Sequence, residues 1–183
     1  MIQNMKLFKT IKMKKIISIK RIQNNELYLE YHQTLQKTKR DKRKEGRVIT
    51  EEMFEKYEKF LWHGTSTTDP VMLVDLTKRC LSTQYANDSC LWGRGIYFAE
   101  NASYSDAYSF RRTDGKTRSF LYCKVFVGES IKLPQDNTLR EPPIRNQKGK
   151  IRFDSVEGET CGTKIYVIYG DHQSYPYYLV DYQ

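Results

Sequence analysis

The order in which its apolar patterns change constrains this chain most. Stretches with helical spacing fall within about the first 110 residues; runs rich in β-branched and aromatic residues dominate the rest. Residues 120–127, 151–153, 164–169 and 175–182 read as strands, with a long surface loop at 134–150 around Pro142-Pro143. Upstream, 16–22 reads as a strand. A helix follows from Asn24 or Asn25 to about residue 36, its apolar positions Leu27, Tyr28, Tyr31 and Leu35 recurring at helical spacing. A second helix is expected over 50–59, where Glu51 and Glu52 suit the N-terminal dipole. A short strand at 60–64 leads to a helix over 69–78 that admits Pro70 in its first turn. A strand at 95–99 and an Asn101-capped helix to about residue 110 complete the front part. Helices early and strands late predict an α+β fold with a largely antiparallel sheet core.

The totals exclude several classes. A chain of 183 residues makes one domain and buries a core without staples. No run of about eighteen apolar residues exists to span a membrane. The opening residues lack an apolar core followed by a small-residue cleavage site, so secretion is not expected. Cys80, Cys90, Cys123 and Cys161 show no C-x-x-C spacing, and His32, His63 and His172 lie far apart, so no metal site is expected. The cysteines read as reduced thiols of a cytoplasmic or nuclear protein.

The net charge of +9 resides entirely at the front: residues 1–50 hold fourteen Lys and Arg against four Asp and Glu. Two readings compete. One is attraction to nucleic acid or another acidic partner. The other is a solvated helix and loop, favoured because Lys37 to Glu45 interleaves no aromatic for base stacking. Residues 1–15 read as a basic, loosely held leader and 16–183 as the folded domain.

Three segments carry candidate chemistry. Trp62-His63-Gly64-Thr65 pairs an imidazole with a glycine that a ligand can approach closely. Gly95-Ile96-Tyr97-Phe98-Ala99-Glu100 leads to Ser105 and Tyr108. The two tyrosines, eleven residues apart, can flank a flat ring, and Ser105 lies on nearly the same helix face as Tyr108. The third segment is Tyr175-Pro176-Tyr177-Tyr178. Gly93-Arg94-Gly95 lacks the full G-x-G-x-x-G and precedes a strand rather than a helix, so a dinucleotide-fold phosphate loop is rejected.

Taken in order, these segments with Lys20-Arg21-Ile22-Gln23-Asn24 and Phe153-Asp154-Ser155 resemble the poly(ADP-ribose) polymerase catalytic domain, of the diphtheria-toxin-like ADP-ribosyltransferase superfamily. The likeness spans 16–183. It implies an ADP-ribosyltransferase fold: two antiparallel β-sheets forming an NAD cleft, with peripheral helices. It also implies NAD+ as substrate. By that resemblance His63 bonds the nicotinamide-side ribose, Gly64 holds the carboxamide through its backbone, and Ser105 assists. Tyr108 stacks on the pyridine ring, Tyr97 completes the pocket, and Thr65 faces the adenosine half. Cys80-Leu81-Ser82 stands where the family's donor loop begins, which makes Ser82 a candidate contact.

Tyr177 stands where polymerising members carry a glutamate. A phenol is neutral near pH 7, and losing a charge aimed at a developing cation costs a few kcal/mol. The resemblance therefore implies transfer of a single ADP-ribose to a protein acceptor rather than chain growth, with His63, Tyr97 and Tyr177 as the catalytic set. The alternative is a catalytically weak module of the same fold that binds NAD or ADP-ribose, or serves as a subunit of a larger assembly.

Overall fold

The computed structural model describes residues 15–48, 50–74, 81–87 and 89–183. In chain order the elements are β1 (Ile16–Arg21), α1 (Asn25–Lys44), α2 (Glu51–Lys56), β2 (Glu58–His63), α3 (Pro70–Leu73), β3 (Ile96–Ala99), α4 (Ala102–Asp106), β4 (Phe110–Arg111), β5 (Arg118–Phe126), β6 (Ser130–Lys132), β7 (Ile144–Asn146), β8 (Ile151–Arg152), β9 (Ser155–Thr160), β10 (Thr163–Ile168) and β11 (Ser174–Tyr182). A 3-10 turn covers Thr83–Tyr85. The expected leader falls outside the described residues up to residue 14, and Lys15 already exchanges backbone hydrogen bonds with Gln183.

The strands follow the path β1-β11-β5-β2-β3-β10-β9-β6, with β4 joining β5 and β7-β8 forming a separate hairpin. One joint in that path is thin. β2 pairs with β5 from Glu58 against Phe126 to His63 against Leu121; it meets β3 only at Trp62 against Ala99. Two antiparallel half-sheets therefore share a single rung, and the candidate site lies where they part. β6 departs from the antiparallel pattern by running parallel to β9.

β5 is buried almost throughout because both its faces are covered. Leu121, Cys123 and Val125 pack one way with Leu61, Phe98 and Ile168. Phe120 and Tyr122 pack the other way with Trp62, Val180 and Tyr182. That is the period-two alternation of a strand, and each fully buried large aliphatic contributes about 1.5–3 kcal/mol over exposure. Among the described residues no helix is long and apolar enough to cross a membrane.

Several boundaries differ from expectation for physical reasons. α1 starts as expected, with the Asn24 side chain accepting from the Leu27 N–H at 3.1 Å. It then runs on to Lys44 rather than stopping near residue 36. Its buried stripe of Tyr31 and Leu35 continues at Lys42, which is only 4% exposed. The Lys42 ammonium lies 2.7 Å from Asp154 and 3.6 Å from Glu129. Arg47 and Arg145 also pair with Glu129. Part of the basic front is thus engaged by carboxylates: Lys42 and Arg47 within the fold, and Lys39 with Glu51 at the surface.

α2 stops at Lys56, and β2 begins two residues later. The helix expected over 69–78 is seen as far as Leu73, and residues 75–80 lie outside the described set. α4 is shorter than expected and Asn101 makes no side-chain cap; its amide donates to the Thr163 hydroxyl at 3.1 Å instead.

Candidate functional site

A cavity of about 850 Å³ opens between the end of β2, β3, α4 and the 81–87 segment. His63, Gly64, Thr65, Ser82, Tyr97, Ser105 and Tyr108 all line it; Tyr177 does not. The described lining contains no Asp, Glu, Lys or Arg.

His63 closes β2. Its Nδ1 lies 2.8 Å from the Tyr97 carbonyl oxygen. A carbonyl only accepts, so in the neutral ring Nδ1 carries the proton and Nε2 is left as an acceptor. Burial pushes the imidazole pKa below its ordinary 6.5, against the opposing pull of the Tyr97 carbonyl. The ring is therefore neutral at pH 7.

Gly64 follows at the strand's end. A Cβ there would sit 2.5 Å from the Tyr108 carbonyl oxygen and 2.7 Å from the Tyr108 Cβ. Only glycine allows the end of α4 to fold down onto this turn, and the Ser66 N–H secures it by donating to the same carbonyl at 2.7 Å. Neither the N–H nor the carbonyl of Gly64 has a backbone partner among the described residues.

Ser105 is 3% exposed, lines the cavity, and its hydroxyl has no partner among the described residues. The hydroxyl oxygen is not among the buried side-chain atoms that lack a partner, so it opens to the cavity. A ligand amide can reach it together with the Gly64 backbone.

The aromatic residues divide the work differently than expected. The Tyr97 hydroxyl donates to the Gly93 carbonyl and accepts from the Trp92 N–H, both at 2.8 Å, so it ties the 92–95 turn and leaves its ring to the cavity. Burial pushes its pKa up, and it stays a neutral phenol. The ring beside Tyr108 is Tyr104, at 5.4 Å between centroids and tilted by 43°, with the two hydroxyls 3.5 Å apart. Tyr104 was not foreseen as a site residue. Its signal was present: it lies four residues before Tyr108, one helical turn away.

Thr65 and Ser82 line the cavity with engaged side chains. The Thr65 hydroxyl donates to the Thr68 carbonyl at 2.6 Å, and the Ser82 hydroxyl donates to Asp171 at 2.9 Å. Tyr177 is the clear departure. It falls at a register shift of β11 between Pro176 and Tyr178. Its ring packs edge-on against Phe60, Tyr175 and Tyr178, and the Arg21 guanidinium lies over it at 5.2 Å. The side chain is held in an aromatic cluster and does not line the cavity. Glu100 and Glu129 do not line the cavity either. Among the described residues no three His, Cys, Asp or Glu side chains cluster as metal ligands.

Residues 2–152 match the model of the poly(ADP-ribose) polymerase catalytic domain, and the chain belongs to that family. It is 31% identical over 177 residues to a probable poly [ADP-ribose] polymerase of Dictyostelium discoideum, covering 92% of this chain and 44% of that protein. It is 28% identical to the human protein mono-ADP-ribosyltransferase PARP12, over 90% of this chain and 21% of that protein. It is 30% identical to human PARP14, also named a protein mono-ADP-ribosyltransferase, over 92% of this chain and 9% of that protein. The chain spans less than half the length of each of these three relatives.

Proposed function

We propose that this chain is an NAD+-dependent mono-ADP-ribosyltransferase that moves one ADP-ribose to a protein acceptor and releases nicotinamide. The observation that carries the reading is the set of unpaired groups at one end of the cavity: the Gly64 N–H and carbonyl, the Ser105 hydroxyl and the His63 Nε2. The donors and acceptors match a carboxamide, which offers an N–H₂ and a carbonyl in one plane. The cavity volume suits a dinucleotide.

In this reading Gly64 and Ser105 hold the carboxamide and Tyr108 covers the pyridine ring. The His63 Nε2 accepts a hydrogen bond from a hydroxyl of the adjoining ribose. The bond from the pyridine nitrogen to C1′ breaks, its electron pair leaving with neutral nicotinamide, and cationic character develops at C1′. The acceptor's nucleophile attacks that carbon. No acidic side chain lines the described cavity to stabilise the cation. Acceleration then comes chiefly from positioning, and an acceptor carboxylate supplies the missing charge. Chain elongation, which needs a base for the acceptor hydroxyl, is disfavoured. Domain 16–183 is the catalytic unit, in a cytoplasmic or nuclear protein; exposed Lys37, Arg40 and Arg43 remain available to an acidic partner, whether nucleic acid or a larger assembly.

One observation favours the second reading, a module that binds NAD or ADP-ribose without turnover: Tyr177 lies outside the cavity and brings no charge to it. Incubation with labelled NAD+ separates the two. Label on acceptor protein, lost in His63→Ala, supports the transferase. NAD+ binding by calorimetry with no transfer supports the module, and no binding at all defeats both ligand readings.

A further inference from the structure

The 81–87 segment lines the cavity at Leu81, Ser82, Tyr85, Ala86 and Asn87, and the side chains of Asp171 and Arg94 hold it. Asp171, in the connection between β10 and β11, accepts the Ser82 hydroxyl at 2.9 Å on one oxygen. Its other oxygen accepts the Thr83 N–H at 2.8 Å and the Thr83 hydroxyl at 2.9 Å. Ser82 in turn accepts from the Gln84 N–H at 3.3 Å. From the opposite end, the Arg94 guanidinium donates to the Thr83 carbonyl at 3.4 Å and to the Gln84 carbonyl at 3.2 Å. Leu81, 6% exposed, anchors the segment's start in the core.

The donors at the head of the turn and the acceptors at its tail are therefore both engaged. What the turn offers the cavity is Tyr85, which is 74% exposed and lines it. Burial works against the charged form of Asp171, yet the bonds from Thr83 and Ser82, with the neighbouring His172, hold its pKa below the ordinary carboxylate value. The carboxylate is thus charged at neutral pH, and hydrogen bonds to a charged acceptor are the stronger kind.

We infer that Asp171 and Arg94 are positioning residues that clamp the 81–87 wall and so set affinity for the part of the ligand beyond nicotinamide, without touching it. Ser82 is accordingly part of the clamp rather than a ligand contact. The inference rests on the NAD+ reading of the cavity.

The test uses the full chain with Asp171→Ala and Arg94→Ala, titrated separately with NAD+, ADP-ribose and nicotinamide. Losing a charge-assisted bond that orders the wall should weaken NAD+ and ADP-ribose by about tenfold. Nicotinamide affinity should stay within about twofold, since its partners are untouched. In turnover, KM for NAD+ should rise while kcat holds. Hydrogen exchange at the Thr83 amide should speed up in Asp171→Ala even without ligand. Unchanged exchange, or NAD+ affinity equal to wild type, overturns the clamp. Equal loss of NAD+ and nicotinamide in a folded variant also overturns it, by showing a general structural role. A wild-type chain that binds neither ligand sinks the NAD+ reading itself, while the exchange result still reports on the clamp.

Discussion

The two ends of the cavity use their polar groups in opposite ways. At the Gly64–Ser105 end, backbone and hydroxyl groups are left without partners among the described residues. At the 81–87 end, Ser82, Thr83 and the Gln84 backbone are all engaged with Asp171 and Arg94. The difference teaches where recognition resides. Open hydrogen-bonding groups on a cavity wall favour ligands that carry the matching donors and acceptors, so the first end selects chemically. The second end is already satisfied, so it contributes shape and an aromatic surface.

Substitutions at the unpaired end should have the largest effects. Gly64→Val should abolish NAD+ binding, weakening it by at least about a hundredfold, because the new side chain meets the Tyr108 backbone. Calorimetry measures this, with circular dichroism to check the fold. Retained affinity would mean that α4 can move away at little cost, and that the site is softer than drawn. His63→Ala should lower the transfer rate by about a hundredfold, read from nicotinamide release, without a matching loss of nicotinamide affinity. Ser105→Ala should weaken nicotinamide by about tenfold.

The pH profile sharpens the same comparison. Burial holds the His63 pKa below 6.5, so the folded site resists protonation. NAD+ binding should be flat from pH 7 down through 6.5 and fall only at lower pH, where a proton occupies Nε2 and removes the acceptor. An ordinary imidazole would lose half its acceptor form at about pH 6.5, so a midpoint there would show that His63 is not buried when ligand binds. The smallest effect belongs outside both ends. Tyr177→Phe should leave transfer within about twofold of wild type, since the phenol ring packs against Phe60 and, among the described residues, its hydroxyl meets Arg21 alone. A large loss would place Tyr177 back among the reacting groups.

Much of this was legible in the sequence where local chemistry decides it. β5, β10 and β11 are dense in β-branched and aromatic residues and lie within two residues of the expected strands. His63, Gly64, Thr65, Tyr97, Ser105 and Tyr108 on the cavity wall were legible from two short motifs, and Ser82 from the family resemblance. Illegible were features set by distant neighbours. β9 carries Gly158, which reads as a strand breaker; a Cβ there would lie 1.9 Å from the Trp92 ring, so the glycine admits that ring into the core. The second half of α1 was hidden because its inward position is a lysine, stabilised by carboxylates more than eighty residues away. The clamp was hidden for the same reason, since Asp171 lies 89 positions after Ser82. The place of Tyr177 off the cavity lining was hidden because a local register shift in β11 does not announce itself in the motif.

A crystal structure with nicotinamide bound tests the central claim most directly. The carboxamide should bond the Gly64 N–H and carbonyl and the Ser105 hydroxyl, with the pyridine ring against Tyr108. Nicotinamide seated elsewhere, or a Ser105 hydroxyl that stays unpaired in the complex, would contradict the account.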